Sequence, residues 1–130
     1  MPKHILIVND AEDLRQLMRD ILQGEGGYEV TEGTYRPGMS IYEWVEGLKP
    51  DLVIADVMFD QEPLGFELVD TLRLNPATAH IPIILCSGAI TALRERQAYL
   101  AEGRVGVLYK PFAVDDLLRT VKQMLDEGDE

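Results

Sequence analysis

The sequence predicts an α/β fold, in which a doubly wound, five-stranded parallel sheet carries helices on both faces. Short apolar runs alternate five times with segments whose apolar residues recur at helical spacing. Five successive β-then-α units favour parallel strands joined by right-handed crossovers. The first, third and fourth runs are almost uniformly apolar, as is typical of strands that are covered on both faces.

The sequence signals for secondary structure are stronger in the first β–α unit than in the second. HILIV (4–8) is the first predicted strand, and AEDLRQLMRDIL (11–22) is the first helix, with its apolar residues on one face. GEGG ends that helix. YEVT (28–31) alternates apolar and polar residues, which favours an edge strand, and a weaker helix is expected within 39–48, before Pro50.

The remaining three units repeat the same pattern with clearer signals. The third helix is expected to end at Leu74, because Asn75 and Pro76 follow it. The expected elements are the strands DLVIA (51–55), IPIILC (81–86) and GVLY (106–109), and the helices FELVDTLRL (66–74), TALRERQAYLA (91–101) and AVDDLLRTVKQML (113–125).

Length and composition limit the function classes. We expect one domain over residues 1–125 and an acidic C-terminal tail, DEGDE, over 126–130. The apolar runs are too short to cross a bilayer, and the N-terminal segment lacks the pattern of a signal peptide. Cys86 is the only cysteine, so no internal disulfide can form, and we expect a cytoplasmic protein in which Cys86 is a small buried hydrophobe.

The charge of the chain argues against nucleic acid as a direct ligand. Lys and Arg number 12 and Asp and Glu number 23, which gives a formal net charge of −11. A phosphate backbone would be repelled by that field.

Polar residues follow four of the predicted strands at the point where each strand ends. Because the carboxyl ends of parallel strands meet at one edge of the sheet, these residues can converge on one crevice. Two carboxylates a few Å apart repel by roughly 4 kcal/mol at an effective dielectric of about 20, so a cation is needed, and Mg²⁺ is the natural one. The residues are Asn9 and Asp10 after the first strand, Asp56 after the third, Ser87 and Gly88 after the fourth, and Lys110 and Pro111 after the fifth.

These residue types together favour phosphoryl transfer. A carboxylate of Asp56 can attack phosphorus while a divalent cation and the ammonium group of Lys110 stabilise charge on the phosphoryl oxygens, and Ser87 adds a hydroxyl donor. The alternative is that these are ordinary solvated residues at strand ends. Four such residues at the correct ends of one sheet favour the first interpretation.

Four motifs spread over nearly the whole chain carry a family resemblance. They are ILIVND (5–10), PDLVIADVM (50–58), IPIILCSG (81–88) and YKPF (109–112). In their order and spacing the chain resembles the receiver domain of two-component response regulators. The resemblance implies a flavodoxin-like fold with strand order 2-1-3-4-5.

The resemblance also implies a role for each matching residue. Asp56 corresponds to the phosphoacceptor, Asp10 to a direct ligand of Mg²⁺ (or Mn²⁺), and Met58 to the residue whose backbone carbonyl completes the metal site. Ser87 corresponds to the switch hydroxyl and Lys110 to the lysine of the site. The peptide bond between Lys110 and the following proline corresponds to one that is commonly cis in the family.

The chain departs from the family pattern around the metal. Asn9 stands where a second acid is usual; it can hold a metal-bound water but removes one charge, so we expect weaker Mg²⁺ binding. The loop VMFDQEPLG (57–65) is one residue longer than usual. It adds Asp60 and Glu62, which are either additional acids around the metal or a solvated loop surface.

Two further departures concern the lifetime and readout of a phosphoryl group. Met58 and Ala89 occupy the positions that commonly tune hydrolysis, and because neither side chain can orient water, we expect slow self-dephosphorylation. Val107 stands at the usual aromatic switch position, with Tyr109 two residues later on the same strand face. Either Tyr109 substitutes for the aromatic switch, or it is an ordinary aromatic on an exposed or partner-binding face.

The resemblance implies a signalling protein rather than an enzyme with an external substrate. The expected phosphodonor is a histidine kinase or a phosphotransfer protein, the expected output is protein–protein contact, and a homodimer through the fourth helix, fifth strand and fifth helix is possible within the family. A pseudo-receiver, an interaction module that is no longer phosphorylated, is the alternative. A flavodoxin-like enzyme is disfavoured, because the acidic NDAED follows the first strand where a flavin phosphate would need a loop rich in Ser, Thr and Gly.

Overall fold

The structure is a computed structural model. It describes residues 2–35, 40–59, 62–88, 90–96, 98, 100 and 104–128, with only the backbone of 90–92, 127 and 128. Among the predictions from sequence, the following lie outside the described residues: Asp60, Ala89, positions 97, 99 and 101 of the fourth helix, and positions 129–130 of the acidic tail.

Five parallel strands form one sheet in the order β2-β1-β3-β4-β5, which confirms the predicted fold and strand order. β2 is longer than expected because it pairs with β1 along its full length, from His4–Glu29 to Val8–Gly33. β4 begins later than expected, after Pro82, which has no N–H to donate. The strands are β1 (His4–Val8), β2 (Glu29–Gly33), β3 (Leu52–Asp56), β4 (Ile83–Ser87) and β5 (Val105–Tyr109).

A helix follows each strand, and the main differences from expectation lie at helix ends. The third helix begins two residues early. The expected fourth helix, 91–101, is helical up to Glu95 and again at residues 98 and 100, with a turn at Arg96. The last helix continues through Gly128, so residues 126–128, which we expected in an acidic tail, are helical. The helices are α1 (Glu12–Gly24), α2 (Ile41–Leu48), α3 (Leu64–Leu74), α4 (Ile90–Glu95) and α5 (Val114–Gly128).

The sheet separates two hydrophobic cores, which is the doubly wound arrangement expected from the sequence. Alternate residues of the central strands point to opposite faces, so that Ile5 and Ile7 lie in one core while Leu6 and Val8 lie in the other. The first core is closed by α1 and α5, and the second by α2, α3 and α4. All five residues of β3 and of β4 are buried. β3 is the central strand of the sheet and β4 lies beside it, so both strands end near the middle of the same sheet edge.

No helix within the described residues is both long enough and apolar enough to span a membrane.

Candidate functional site

The site is centred on the carboxylate of Asp56, the last residue of β3. Only 9% of this residue is exposed, although it carries a charge. The ammonium Nζ of Lys110 donates a hydrogen bond to Asp56 Oδ2 at 2.6 Å. A buried charge is costly unless it is paired and hydrogen-bonded, and this ion pair supplies both.

Two further donors approach the same carboxylate. The side-chain amide Nδ2 of Asn9 lies 3.4 Å from Asp56 Oδ2, at the long end of hydrogen bonding, and the backbone N–H of Met58 donates to Oδ1 at 3.2 Å. The carboxylate is therefore approached by groups from β1, from its own loop and from the segment after β5. This explains why a strand that is buried along its whole length ends in an acid.

Lys110 reaches Asp56 because its backbone is fixed at the end of β5. Its backbone N–H donates to the Ser87 carbonyl at 3.0 Å, which continues the pairing of β4 with β5 by one residue. The Lys110–Pro111 peptide bond is cis, as the family resemblance implies.

Ser87 ends β4 beside the strand that carries Asp56. The side chain is buried, with 3% of the residue exposed, and its backbone carbonyl is the one that holds Lys110. The register pairs Asp56 with the preceding residue, Cys86. The pKa of the Cys86 thiol is raised to about 11, mainly because the thiol is buried. The Lys110 charge lowers this pKa, and the Asp56 charge raises it by a smaller amount. Cys86 is thus a neutral thiol near pH 7 and a core residue, as expected.

The end of β1 is tied to the end of β2. Asn9 is 3% exposed; its backbone N–H donates to the Gly33 carbonyl at 3.0 Å, and its Oδ1 accepts from the Ala11 N–H at 2.8 Å. Asp10 is exposed, and its Oδ1 accepts a hydrogen bond from the hydroxyl of Thr34. Asn9 thus faces Asp56, whereas Asp10 lies at the rim of the same sheet edge.

The longer loop after Asp56 closes on itself. The backbone N–H of Phe59 donates to the Glu62 carbonyl at 2.8 Å, and the N–H of Glu62 donates back to Phe59 at 2.9 Å. Phe59 is fully buried and contacts Tyr35 edge to face, with 5.7 Å between the ring centroids. Glu62 is exposed. After Glu62 the chain returns to the end of β3, where the Gly65 N–H donates to the Val57 carbonyl at 2.8 Å.

The donor set fits a hard divalent cation that keeps several waters. Asp56 ends β3 and Asp10 follows the neighbouring strand β1, so both would supply carboxylate oxygens at this sheet edge to a bound cation, and the Met58 carbonyl follows Asp56 in the same loop. No group of three or more His, Cys, Asp or Glu side chains with metal-binding geometry occurs within the described part of the chain. One or two carboxylates with carbonyl and water ligands are what Mg²⁺ commonly takes, so this set suits it.

The positions that we expect to tune the site differ in exposure. Met58 is 38% exposed, so its side chain lies at the surface beside Asp56. Tyr109 is 36% exposed at the end of β5, whereas Val107 packs partly buried against the core beneath α2, α3 and α4.

Sequence reasoning missed Thr34 and Arg15 as parts of this region. Arg15 Nη1 donates to the Asn9 carbonyl at 2.6 Å, and Thr34 bonds Asp10. The expected second strand stopped at residue 31, three residues before Thr34. A strand drawn to Gly33 would have placed Thr34 at the same sheet edge as Asp10, but no apolar pattern in the sequence marks that strand end.

Residues 5–122 match the family model of the response regulator receiver domain. The polar-differentiation response regulator DivK of Brucella anthropi is 28% identical over 131 residues, which cover 98% of this chain and 100% of that protein. The phosphate regulon transcriptional regulatory protein PhoB of Rhizobium meliloti is 37% identical over 96% of this chain, but this chain spans only 52% of that protein.

The fold is also similar to that of solved response regulator structures. The chemotaxis response regulator CheY4 of Vibrio cholerae has a TM-score of 0.75 at 28% identity, and the match covers 95% of this chain and 99% of that one. A response regulator from Chloroflexus aurantiacus also has a TM-score of 0.75 at 28% identity, over 97% of this chain.

Proposed function

Because the chain belongs to the response regulator receiver domain family, we propose that it is a phosphorylation-dependent signalling receiver whose phosphoacceptor is Asp56. The single observation that carries the proposal is the Lys110–Asp56 pair, with 2.6 Å between Nζ and Oδ2. It joins the ends of β3 and β5 at the sheet edge where ligands of such folds bind.

The phosphodonor in this proposal is the phosphohistidine of a histidine kinase or a phosphotransfer protein. An oxygen of the Asp56 carboxylate attacks phosphorus, the new O–P bond forms as the N–P bond breaks, and the electron pair of that bond returns to the imidazole. Lys110 neutralises charge on the carboxylate before transfer and on the phosphoryl oxygens after it. Ser87, at the end of β4, supplies the hydroxyl that the transferred group would engage.

Receiver domains of this family generally bind Mg²⁺ at an acidic pocket. In this chain, Asp10, Asp56 and the Met58 carbonyl would hold the ion, and Asn9 would hold one of its waters. Bound there, Mg²⁺ (or Mn²⁺) would stabilise negative charge on the phosphoryl oxygens. The residues of the chain orient the acceptor: the Met58 N–H on Oδ1 and Lys110 on Oδ2 fix the carboxylate plane.

We place the output of this receiver in protein–protein contact, in the cytoplasm. A local charge change at Asp56 biases a surface elsewhere, and α4, β5 and α5 adjoin the site through Ser87 and Lys110. A homodimer through the α4-β5-α5 face belongs to the same proposal. Sedimentation of the protein with and without a phosphoryl mimic tests it, and an unchanged monomer in both states contradicts it.

A pseudo-receiver is the second candidate, and one observation favours it. Asn9 Nδ2, a neutral donor, and Lys110 Nζ, a cationic donor, both approach Oδ2 of Asp56. Because Asn9 stands where the family usually has an acid, the Asp56 carboxylate has one acid fewer beside it than is usual. Such an arrangement can hold a structural ion pair without any metal or phosphoryl group.

Phosphorylation by a small phosphodonor separates the two candidates. The protein is incubated with acetyl phosphate and Mg²⁺ and read by intact mass. We expect one added phosphoryl group in the parent and none in Asp56→Ala. Asp126→Ala, which removes an exposed acid near the end of α5, is the matched control and should be labelled like the parent. No labelling of the parent, together with no response to beryllofluoride and Mg²⁺, would favour the pseudo-receiver.

A further inference from the structure

We propose that Thr34 is a positioning residue for Asp10 and that it thereby helps to set the affinity of the site for Mg²⁺. The inference rests on the proposed function, because it concerns the same metal site. Its basis is the hydrogen bond from the Thr34 hydroxyl to Oδ1 of Asp10, which connects the end of edge strand β2 to the acid that follows β1.

The backbone brings these two residues together. The Asn9 N–H donates to the Gly33 carbonyl at 3.0 Å, which extends the pairing of β1 with β2 beyond Val8. Thr34 directly follows Gly33, and Asp10 directly follows Asn9. The side-chain hydrogen bond between Thr34 and Asp10 thus lies one residue beyond the backbone hydrogen bond between Asn9 and Gly33.

A half-buried ion-pair network fixes the same strand end. Glu32 pairs with Arg19 at 2.8 Å and with Arg15 at 3.5 Å. Arg15 in turn donates from Nη1 to the Asn9 carbonyl at 2.6 Å. The residues on either side of Gly33 therefore both act on the Asn9–Asp10 turn: Glu32 through Arg15, and Thr34 directly.

Holding Asp10 matters because the acid is exposed. An exposed carboxylate populates several rotamers, and a metal selects one of them at a cost in side-chain entropy. A carboxylate has two oxygens, so a hydrogen bond to Oδ1 is compatible with coordination by the same group. Outer partners that orient metal ligands typically change affinity by about 10–100-fold when they are removed.

The test is a Mg²⁺ titration of Thr34→Val, which keeps the branched shape and removes the hydroxyl donor. Trp44, the only tryptophan, serves as the probe, since its ring lies against Gly33: a Cβ on Gly33 would be 2.5 Å from a Trp44 ring carbon. Calorimetry gives a second, independent affinity. We expect about tenfold weaker Mg²⁺ binding in Thr34→Val and near-parent binding in Thr34→Ser.

Thr31→Val is the matched control. Thr31 lies on the same strand, and its hydroxyl contacts His4 Nε2 at 2.8 Å, away from the site, so this variant loses a comparable hydrogen bond without touching Asp10. Thermal unfolding of all variants is compared, and Thr34→Ala replaces Thr34→Val if the valine variant does not fold. In an Asp10→Ala background the Thr34 substitution should have no further effect, because alanine has no side-chain oxygen to accept the Thr34 hydrogen bond.

The outcomes separate this inference from the proposed function. If the parent binds Mg²⁺ and Thr34→Val binds it equally well or more tightly, the inference fails and the proposed function stands. It also fails if Thr34→Val weakens binding as much in Asp10→Ala as in the parent, or if Thr31→Val weakens it equally. A parent that shows no Mg²⁺ binding by either method overturns both.

Discussion

Replacement of Gly65 by alanine sets two physical effects against each other. Gly65 is the second residue of α3, and alanine is the better helix former by about 1 kcal/mol, so helix propensity alone predicts a more stable protein. The packing predicts the opposite. A Cβ at this position would lie 2.3 Å from the Asp56 carbonyl oxygen, 2.6 Å from Val57 Cα and 3.0 Å from the Val57 carbonyl oxygen.

The packing effect should win. All three contacts are with backbone atoms of the segment that leaves β3, and these cannot rotate away as a side-chain end can. Overpacking typically costs about 1–3 kcal/mol, and contacts this short place the cost at the upper end, about 3 kcal/mol. After the gain in helix propensity of about 1 kcal/mol is subtracted, we expect Gly65→Ala to lower the free energy of unfolding by about 2 kcal/mol or more.

Gly47→Ala is the control for this prediction. Gly47 lies within α2, and a Cβ there meets nothing within 4 Å, so only helix propensity acts. We expect it to raise the free energy of unfolding by about 1 kcal/mol or less. Urea unfolding of the two variants and the parent gives both values. If Gly65→Ala is as stable as the parent while Gly47→Ala gains stability, the close approach of α3 to the end of β3 is not tight and the reasoning is wrong.

Three further predictions concern charge and water around the site and the start of α5. Asn9→Asp should tighten Mg²⁺ binding by about tenfold, because it restores a carboxylate beside Asp56; equal or weaker binding in a Trp44 fluorescence titration would contradict this. Met58→Asn should accelerate loss of the phosphoryl group from the labelled protein, since an amide can orient water beside the exposed edge of the acyl phosphate; rapid loss from the parent, unchanged in the variant, would refute it. The pKa of Asp116 is lowered, first by the hydrogen bond from the Ala113 N–H and then by the Arg119 side chain. A lowered folded-state pKa gives stability that is present above the unfolded value of 3.8 and is lost as the pH falls through the folded value. Asp116→Asn should therefore be less stable than the parent at pH 6, by an amount that shrinks below pH 4. A difference in stability that stays constant with pH would show that this ionisation is not involved.

Much of the fold could be predicted because burial on both faces leaves a strong local signal. The strands β1, β3 and β4 are continuous apolar runs, and all of them lie in the interior of the sheet. The end of β2 was harder to place. Glu32 and Gly33 do not continue the alternating pattern of residues 28–31, and they are extended because β1 supplies hydrogen-bond partners over its full length. That information lies in the pairing of two strands and not in the strand itself.

Part of the candidate site could be predicted because two of its residues follow strands that the sequence marks clearly. Asp56 and Lys110 each directly follow an apolar run, so sheet geometry alone brings them to one edge. Thr34 follows a strand whose end the sequence does not mark. The need for glycine at position 65 arises from contact with the backbone of residues 56 and 57, which no local pattern records.

The reciprocal backbone bonds between Phe59 and Glu62 have a consequence for how this chain can vary. They hold Phe59 and Glu62 side by side, and the fully buried Phe59 ring anchors the segment that carries Met58. A change in chain length between Phe59 and Glu62 should therefore leave the path of the backbone past Asp56 unchanged. A short epitope inserted between these two residues would be displayed close to Asp56 without altering the sheet edge that carries it.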